Sequence, residues 1–365
     1  MKIAILNTRL SGYMKSCLET FKRQSNAELL LYVWPHQADA PFEGSEFASL
    51  GALHNRNDFS DRTIYQSVVN FQPDAVLVSG WKDKGYVKIC KQLKAKGHKI
   101  ISGCDTQWKG SLRQQAARLI APFHLHNFID VMWVTGERQR YYAKLLGYEG
   151  DRCWDGYYAC DWDAFSLEPT QKSKDAERSP FFLYVGRYAP EKGLDTLTAA
   201  YRSYRQQVQN PWPLVCAGAG PLKETLIAAG AEDRGFVQPS HLPALMQQAA
   251  AFVLPSKFEP WGVVVQEAAA SGLPLILSDA CGAGVHLLRE GFNGFGFSAG
   301  CAESLASKLC SMHALSNQQR SDCGAASYNL SKQYTPKRWS TILSAGIQSS
   351  TGVQFSPSIS EVQTI

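Results

Sequence analysis

Short apolar runs that alternate with helically spaced stretches restrict this chain to an α/β fold. A first set falls at Ile3–Leu6, Leu29–Trp34, Ala75–Val78, Lys99–Ser102 and Val131–Val134, and a second at Phe181–Val185, Leu214–Ala217, Gly235–Val237, Phe252–Leu254 and Leu275–Leu277. Strands separated by helices pair in parallel, because the crossover helix returns the chain to the same end of the sheet. Two sets imply two Rossmann-like domains, and 365 residues are enough for each to bury a core. No repeat relates them.

The most polar connection, Asp161–Ser179, is the expected hinge, which divides residues 1–165 from residues 166–334. Thr335 as N-cap, Pro336 at the first helical position, and apolar Trp339, Ile342 and Leu343 predict a last helix over 335–349. Residues 350–365, rich in Ser, Gln, Pro and Thr, are expected to be disordered.

A composition of 45% hydrophobic and 19% charged residues is that of a soluble globular enzyme. The net charge of +5 suits an anionic small molecule or a membrane surface, but it is not gathered into the patch that a nucleic-acid binder needs. Ten cysteines with no CxxC pair, several of them inside apolar runs, read as buried thiols in a reducing compartment. The run after Met1 is short for a signal peptide, and no stretch reaches the roughly 18 apolar residues of a membrane span, so the expected location is cytoplasmic.

Lys82, Lys84, Lys88, Lys91, Lys94, Lys96 and Lys99 lie opposite the apolar stripe Tyr86, Ile89, Cys90 and Leu93. This is a helix with a solvated face, or one that docks on an anionic bilayer. Two metal-like patterns are set aside. Asp161-Trp162-Asp163 lies in the interdomain connection, and His124 with His126 lacks a third ligand.

The chemistry concentrates in Ala250–Pro274, AAFVLPSKFEPWGVVVQEAAASGLP. A buried strand ends at Pro255, a helix starts near Gly262, and Gly272 with Pro274 stops it. The amides of Gly262, Val263 and Val264 at the helix start form a seat for a phosphate. Glu259 precedes this start and Glu267 follows on its second turn. In Gly186-Arg187-Tyr188-Ala189-Pro190-Glu191-Lys192-Gly193, an Arg five residues before a Lys at a strand-to-helix turn can clamp a diphosphate.

These two stretches resemble retaining glycosyltransferase family 4, whose signatures are a Glu, seven residues, Glu run and a GRLxxEKG turn. The resemblance implies the GT-B fold, with two Rossmann-like domains facing each other across a cleft and the last helix crossing back onto the first. It also implies transfer of a hexose-type sugar from a nucleotide diphosphate sugar, a UDP-sugar favoured, to a hydroxyl of a glycan or lipid-linked sugar, with retention and with no metal or other cofactor. By the same resemblance Arg187 and Lys192 hold the diphosphate, Glu259 orders the sugar and the active-site cations, Glu267 binds the ribose, and a leaving-group phosphate oxygen takes the acceptor's proton. Gly218 and Gly220, in Gly218-Ala219-Gly220-Pro221, match the family's turn beside the nucleoside.

Two departures from the family pattern are visible. Only Gly12 stands where the family keeps a glycine-rich loop near the donor phosphates, and Asp105 is the polar candidate where relatives place a His, with a structural turn acid as the other reading. Lys223 replaces the third Gly of a dinucleotide fingerprint, which argues against a nicotinamide oxidoreductase. Ser278–Gly284 is either a backbone seat for sugar or phosphate or a plain turn. The loop from Pro35 to Arg62, with Glu43, Glu46, His54, Asn57 and Asp58, would face the acceptor in such a fold. A non-hydrolysing sugar-nucleotide epimerase and a non-catalytic sugar-nucleotide-binding protein remain alternatives.

Overall fold

The computed structural model describes residues 1–35, 47, 49–166 and 180–348. The expected tail at 350–365, acidic Glu43 and Glu46, and most of the polar stretch after Asp161 lie outside the described residues.

The first domain is a seven-stranded parallel sheet of order β3-β2-β1-β4-β5-β6-β7. Its strands are β1 (Lys2–Asn7), β2 (Glu28–Val33), β3 (Ala52–Asn55), β4 (Ala75–Val78), β5 (Ile100–Cys104), β6 (Val131–Val134) and β7 (Cys153–Trp154). Its helices are α1 (Gly12–Ser25), α2 (Asp61–Phe71), α3 (Lys84–Ala95), α4 (Leu112–His124) and α5 (Glu137–Leu145). Several starts follow from local chemistry: Ser60 caps α2 through Thr63 N at 3.1 Å, and Asp83 caps α3 through Tyr86 N at 2.7 Å. One side of the sheet carries α2 to α5 over a core that includes Val68, Ile89, Phe128 and Tyr142, while α1 covers the other.

After α6 (Trp162–Phe165) the second domain is built on β8 (Phe182–Val185), β9 (Leu214–Ala217), β10 (Glu232–Asp233), β11 (Ala251–Leu254), β12 (Leu275–Ser278) and β13 (Gly294–Phe297), in the order β10-β9-β8-β11-β12-β13. All of its pairings are parallel. Its helices are α7 (Leu194–Gln207), α8 (Lys223–Ala228), α9 (Leu242–Gln248), α10 (Val263–Ala270), α11 (Gly284–Leu287), α12 (Ala302–Ala314) and α13 (Asn317–Ser331).

The expected strand at Gly235–Val237 is not there. Gly235 takes φ +64°, which a strand cannot accommodate, and its carbonyl accepts from Gly218 N at 2.8 Å, so the chain curls over the glycine turn after the two-residue β10. Strands β3, β7 and β13 were not foreseen, because an exposed edge (ALHN), a two-residue strand (CW) and a glycine-rich strand (GFGF) lack a run of alternating or continuous apolar residues.

The chain changes cores between Ala159 and Cys160, and changes back between Tyr334 and Trp339. The last helix, α14 (Pro336–Gln348), packs on α1. Trp339 stacks on Trp133 with centroids 4.8 Å apart, and its Nε1 donates to the Tyr157 carbonyl at 2.9 Å. Lys99 Nζ donates to the Gly346 carbonyl at 2.6 Å, and the lack of a side chain at Gly346 lets the helix close on Trp154.

Candidate active site

Strand β11 delivers the chain into the loop Pro255–Trp261, from which α10 starts at Gly262. Gly262 adopts φ 93°, and a Cβ there would lie 3.1 Å from Glu259 Cγ, so glycine makes both the turn and the space for the glutamate. The first amides of α10, at Val263 and Val264, are beyond reach of any intrahelical carbonyl.

The carboxylate of Glu259 is 9% exposed and receives the ammonium of Lys192 in a close, mostly buried ion pair, with Ser256 Oγ donating at 3.5 Å. That pair is set by backbone. Lys257 N and Phe258 N donate to the Glu191 carbonyl at 2.9 and 3.2 Å, and a Cβ on Gly193 (φ +69°) would collide with the Pro255 carbonyl. The lysine turn and the glutamate loop therefore fold as one piece across 67 residues of sequence. Arg187, half-exposed, meets Glu191 at 2.8 Å, and its carbonyl accepts from Tyr184 Oη at 2.8 Å.

Gly218 and Gly220 lie beneath this turn. A Cβ on Gly218 would strike the Gly186 carbonyl, and one on Gly220 would lie 2.5 Å from the Tyr188 carbonyl. Their missing side chains make room first for the neighbouring backbone. The same holds in Ser278–Gly284, where a Cβ on Gly282 would strike the Pro260 carbonyl and Gly282 N donates to the Glu259 carbonyl at 2.9 Å.

Glu267, on the second turn of α10, lies by Asp161 and Cys160 at the first change of cores. Burial, with the Asp161 charge added, pushes its carboxyl up to about 7. It is expected to be half protonated near neutrality, so a ligand that needs its carboxylate should bind more weakly as pH falls through this value. If Glu267 holds the ribose of a donor, as the resemblance implies, donor KM should rise below about pH 7 and the rise should flatten in Glu267→Gln, read from initial rates across pH. A KM that does not change with pH in the parent protein would remove Glu267 from the donor site.

From the first domain, Asp105 stands exposed at the end of β5 and accepts from Tyr158 Oη at 3.2 Å. Gly12, at the start of α1, faces Pro239 of the second domain, 4.0 Å from where its Cβ would be. Among the other residues expected toward the acceptor, His54 is part of edge strand β3 and stacks on Tyr32 at 4.9 Å.

Four residues that sequence reasoning missed join the domains. Gln139, fully buried, donates from Nε2 to the Pro260 carbonyl at 2.7 Å and to the Asp105 carbonyl at 3.2 Å, tying the Glu259 loop to the Asp105 loop. Arg138 donates to the Asp279 carbonyl at 2.6 Å, and Glu137 N donates to His286 Nε2 at 3.1 Å. Lys109 lies over the Phe258 ring, 3.2 Å from its centroid. Each contact between the domains joins residues more than a hundred positions apart, so no local pattern marks it.

This pair of parallel α/β domains is the GT-B fold. Anabaena HepE in complex with UDP superposes with a TM-score of 0.75 at 16% identity, covering 96% of this chain and 100% of that one. Sucrose-phosphate synthase from Thermosynechococcus elongatus gives 0.73 at 15% identity, covering 97% and 100%. In sequence, residues 168–330 match the family model for glycosyl transferases group 1. Glycogen synthase of Mycobacterium tuberculosis is 36% identical over 129 residues, 30% of this chain and 31% of its own. Alpha-D-kanosaminyltransferase of Streptomyces kanamyceticus is 33% identical over 123 residues, 32% and 31%. The chain thus spans about a third of the length of those relatives, and the family-model match contains the Lys192–Glu259 pair. No helix among the described residues is long and apolar enough to cross a membrane.

Proposed function

We propose that this chain is a retaining glycosyltransferase of family 4, which moves a hexose-type sugar from a nucleotide diphosphate sugar to a hydroxyl of a glycan or lipid-linked sugar on the cytoplasmic side. The observation that carries this reading is the ion pair of Lys192 and Glu259 at the start of α10, in the segment that matches group 1 glycosyl transferases. Departure of a nucleoside diphosphate from the anomeric carbon places negative charge on phosphate oxygens. Lys192, Arg187 and the amides of Val263 and Val264 supply fixed positive charge and donors for it, which costs no reorganisation as the bond breaks.

In this reading Glu259 holds the Lys192 ammonium in place and lies by the sugar, Glu267 accepts from the ribose hydroxyls, and Asp105 faces the sugar from the first domain. Gly12, Gly218 and Gly220 let backbone approach the donor. A leaving phosphate oxygen takes the acceptor's proton as the new glycosidic bond forms. We favour a UDP-sugar, since the similar HepE structure contains UDP, and the donor is expected to raise the melting temperature.

The test is a thermal-shift panel of nucleoside diphosphates followed by product analysis with the sugar nucleotide that stabilises most. Stabilisation with no transfer to any acceptor would leave a sugar-nucleotide-binding protein, and interconversion of two sugar nucleotides would identify an epimerase. We further propose that no metal takes part. EDTA should then leave the rate unchanged, whereas a loss restored by manganese would assign a metal role to Asp161 and Asp163.

A further inference from the structure

Helix α4 turns its apolar side outward. It buries only Gln114 and Ala121, while Leu112, Leu119, Ile120 and Phe123 are 84, 75, 54 and 81% exposed. At 3.6 residues per turn, Leu112, Leu119 and Phe123 fall within about 40° of one another, with Ile120 beside them and Gln114 and Ala121 on the opposite side. A run of such side chains facing water marks a contact surface.

The charges around this stripe identify the partner. No acidic residue occurs between Asp105 and Asp130, whereas Lys109, Arg113 and Arg118 do. The strand order β4-β5-β6 sets α3 next to α4 in the same layer, and Lys94 reaches the carbonyls of His126 and Ile129 just beyond α4. Lys94 also pairs with Asp130 at 2.8 Å and Lys99 holds Gly346, so both are engaged within the domain. Lys84, Lys88, Lys91 and Lys96 remain exposed.

We propose that this face docks on a bilayer containing anionic lipid, with Leu112, Leu119, Ile120 and Phe123 entering the acyl boundary and Arg113, Arg118 and the α3 lysines meeting the headgroups. A second copy of this chain fits poorly, because a two-fold interface would bring Arg113, Arg118 and the lysines against their own images. Docking does not depend on the sugar-transfer reading, and its test reads membrane binding alone. If both hold, a lipid-linked acceptor reaches the cleft from its own bilayer. Lys109, three residues before the start of α4, lies over Phe258, the neighbour of Glu259.

The full chain is sedimented with vesicles of phosphatidylcholine containing roughly a quarter phosphatidylglycerol. We expect binding that falls about tenfold or more in Leu119→Glu/Phe123→Glu and to an intermediate level in Leu119→Ser/Phe123→Ser, with melting temperatures unchanged at these exposed positions. In 1 M salt, where the Debye length is about 3 Å, part of the parent protein's binding should persist, because burial of apolar side chains is not screened. Absence of binding, equal binding by parent and variants, or full release by salt would overturn the proposal. A parent dimer that the glutamate variant dissociates in sedimentation velocity would also overturn it and assign the face to self-association.

Discussion

Glu259→Gln should lower kcat by about 10²-fold, or about 2.7 kcal/mol of transition-state stabilisation, with little change in donor KM. The substitution is isosteric in a 9% exposed site, so the amide can still accept from Lys192 and Ser256 and the loop should keep its shape. It removes the negative charge that holds the Lys192 ammonium in place. Because charge develops on the diphosphate as the bond breaks, misplacing that ammonium costs more in the transition state than in the ground state. Steady-state kinetics on a variant with an unchanged thermal melt makes the measurement. A folded Glu259→Gln protein with parental kcat would make this loop structural only.

Lys192→Met should reduce kcat/KM by roughly 2–4 kcal/mol and weaken nucleoside diphosphate binding, since one preorganised charged donor is lost. Methionine keeps an unbranched aliphatic stem, but it leaves Glu259 with a mostly buried charge and no cation. The melt should therefore fall as well. Arg187→Ala separates the two effects. Its guanidinium is half-exposed in an i,i+4 pair with Glu191, which contributes little to stability, so the loss should appear in nucleotide affinity and kcat/KM with the melt nearly unchanged. Activity within a few-fold of the parent in both variants would exclude the diphosphate clamp.

The sheet cores were legible in the sequence because parallel strands buried on both faces read as continuous apolar runs: AVLV, VMWV and LVCA match β4, β6 and β9 residue for residue. The start of α10 was legible through Gly262 and its stop through Gly272, which takes φ +63°. Sequence reasoning assigned Gly218 and Gly220 to the donor, but it could not show that both first make room for the Gly186–Tyr188 backbone, because a close approach between distant loops leaves no periodic trace. Nor could it find Gln139, whose two acceptors are main-chain carbonyls from different domains, a contact that any residue type at positions 105 and 260 would offer. The lysine-rich helix was visible, yet the inward engagement of Lys94 and Lys99 depends on Asp130 and on Gly346 of the returning helix.

That return has a mechanical consequence. The chain passes between the domains twice, near Ala159 and near Thr335, and the two passages run side by side, tied by Trp339 to Tyr157 and bordering one small void. Two adjacent straps act as an axle. Once the contacts of Gln139, Arg138 and His286 between the domains open, a turn about that line would strain the straps least, while sliding or wringing would stretch both together. Glu267, beside Asp161, sits next to that axle, so a turn about it would move Glu267 little. In such a turn the end of the site at Glu267 would be the fixed point, and groups farther from the axle would be the ones brought into place by the swing.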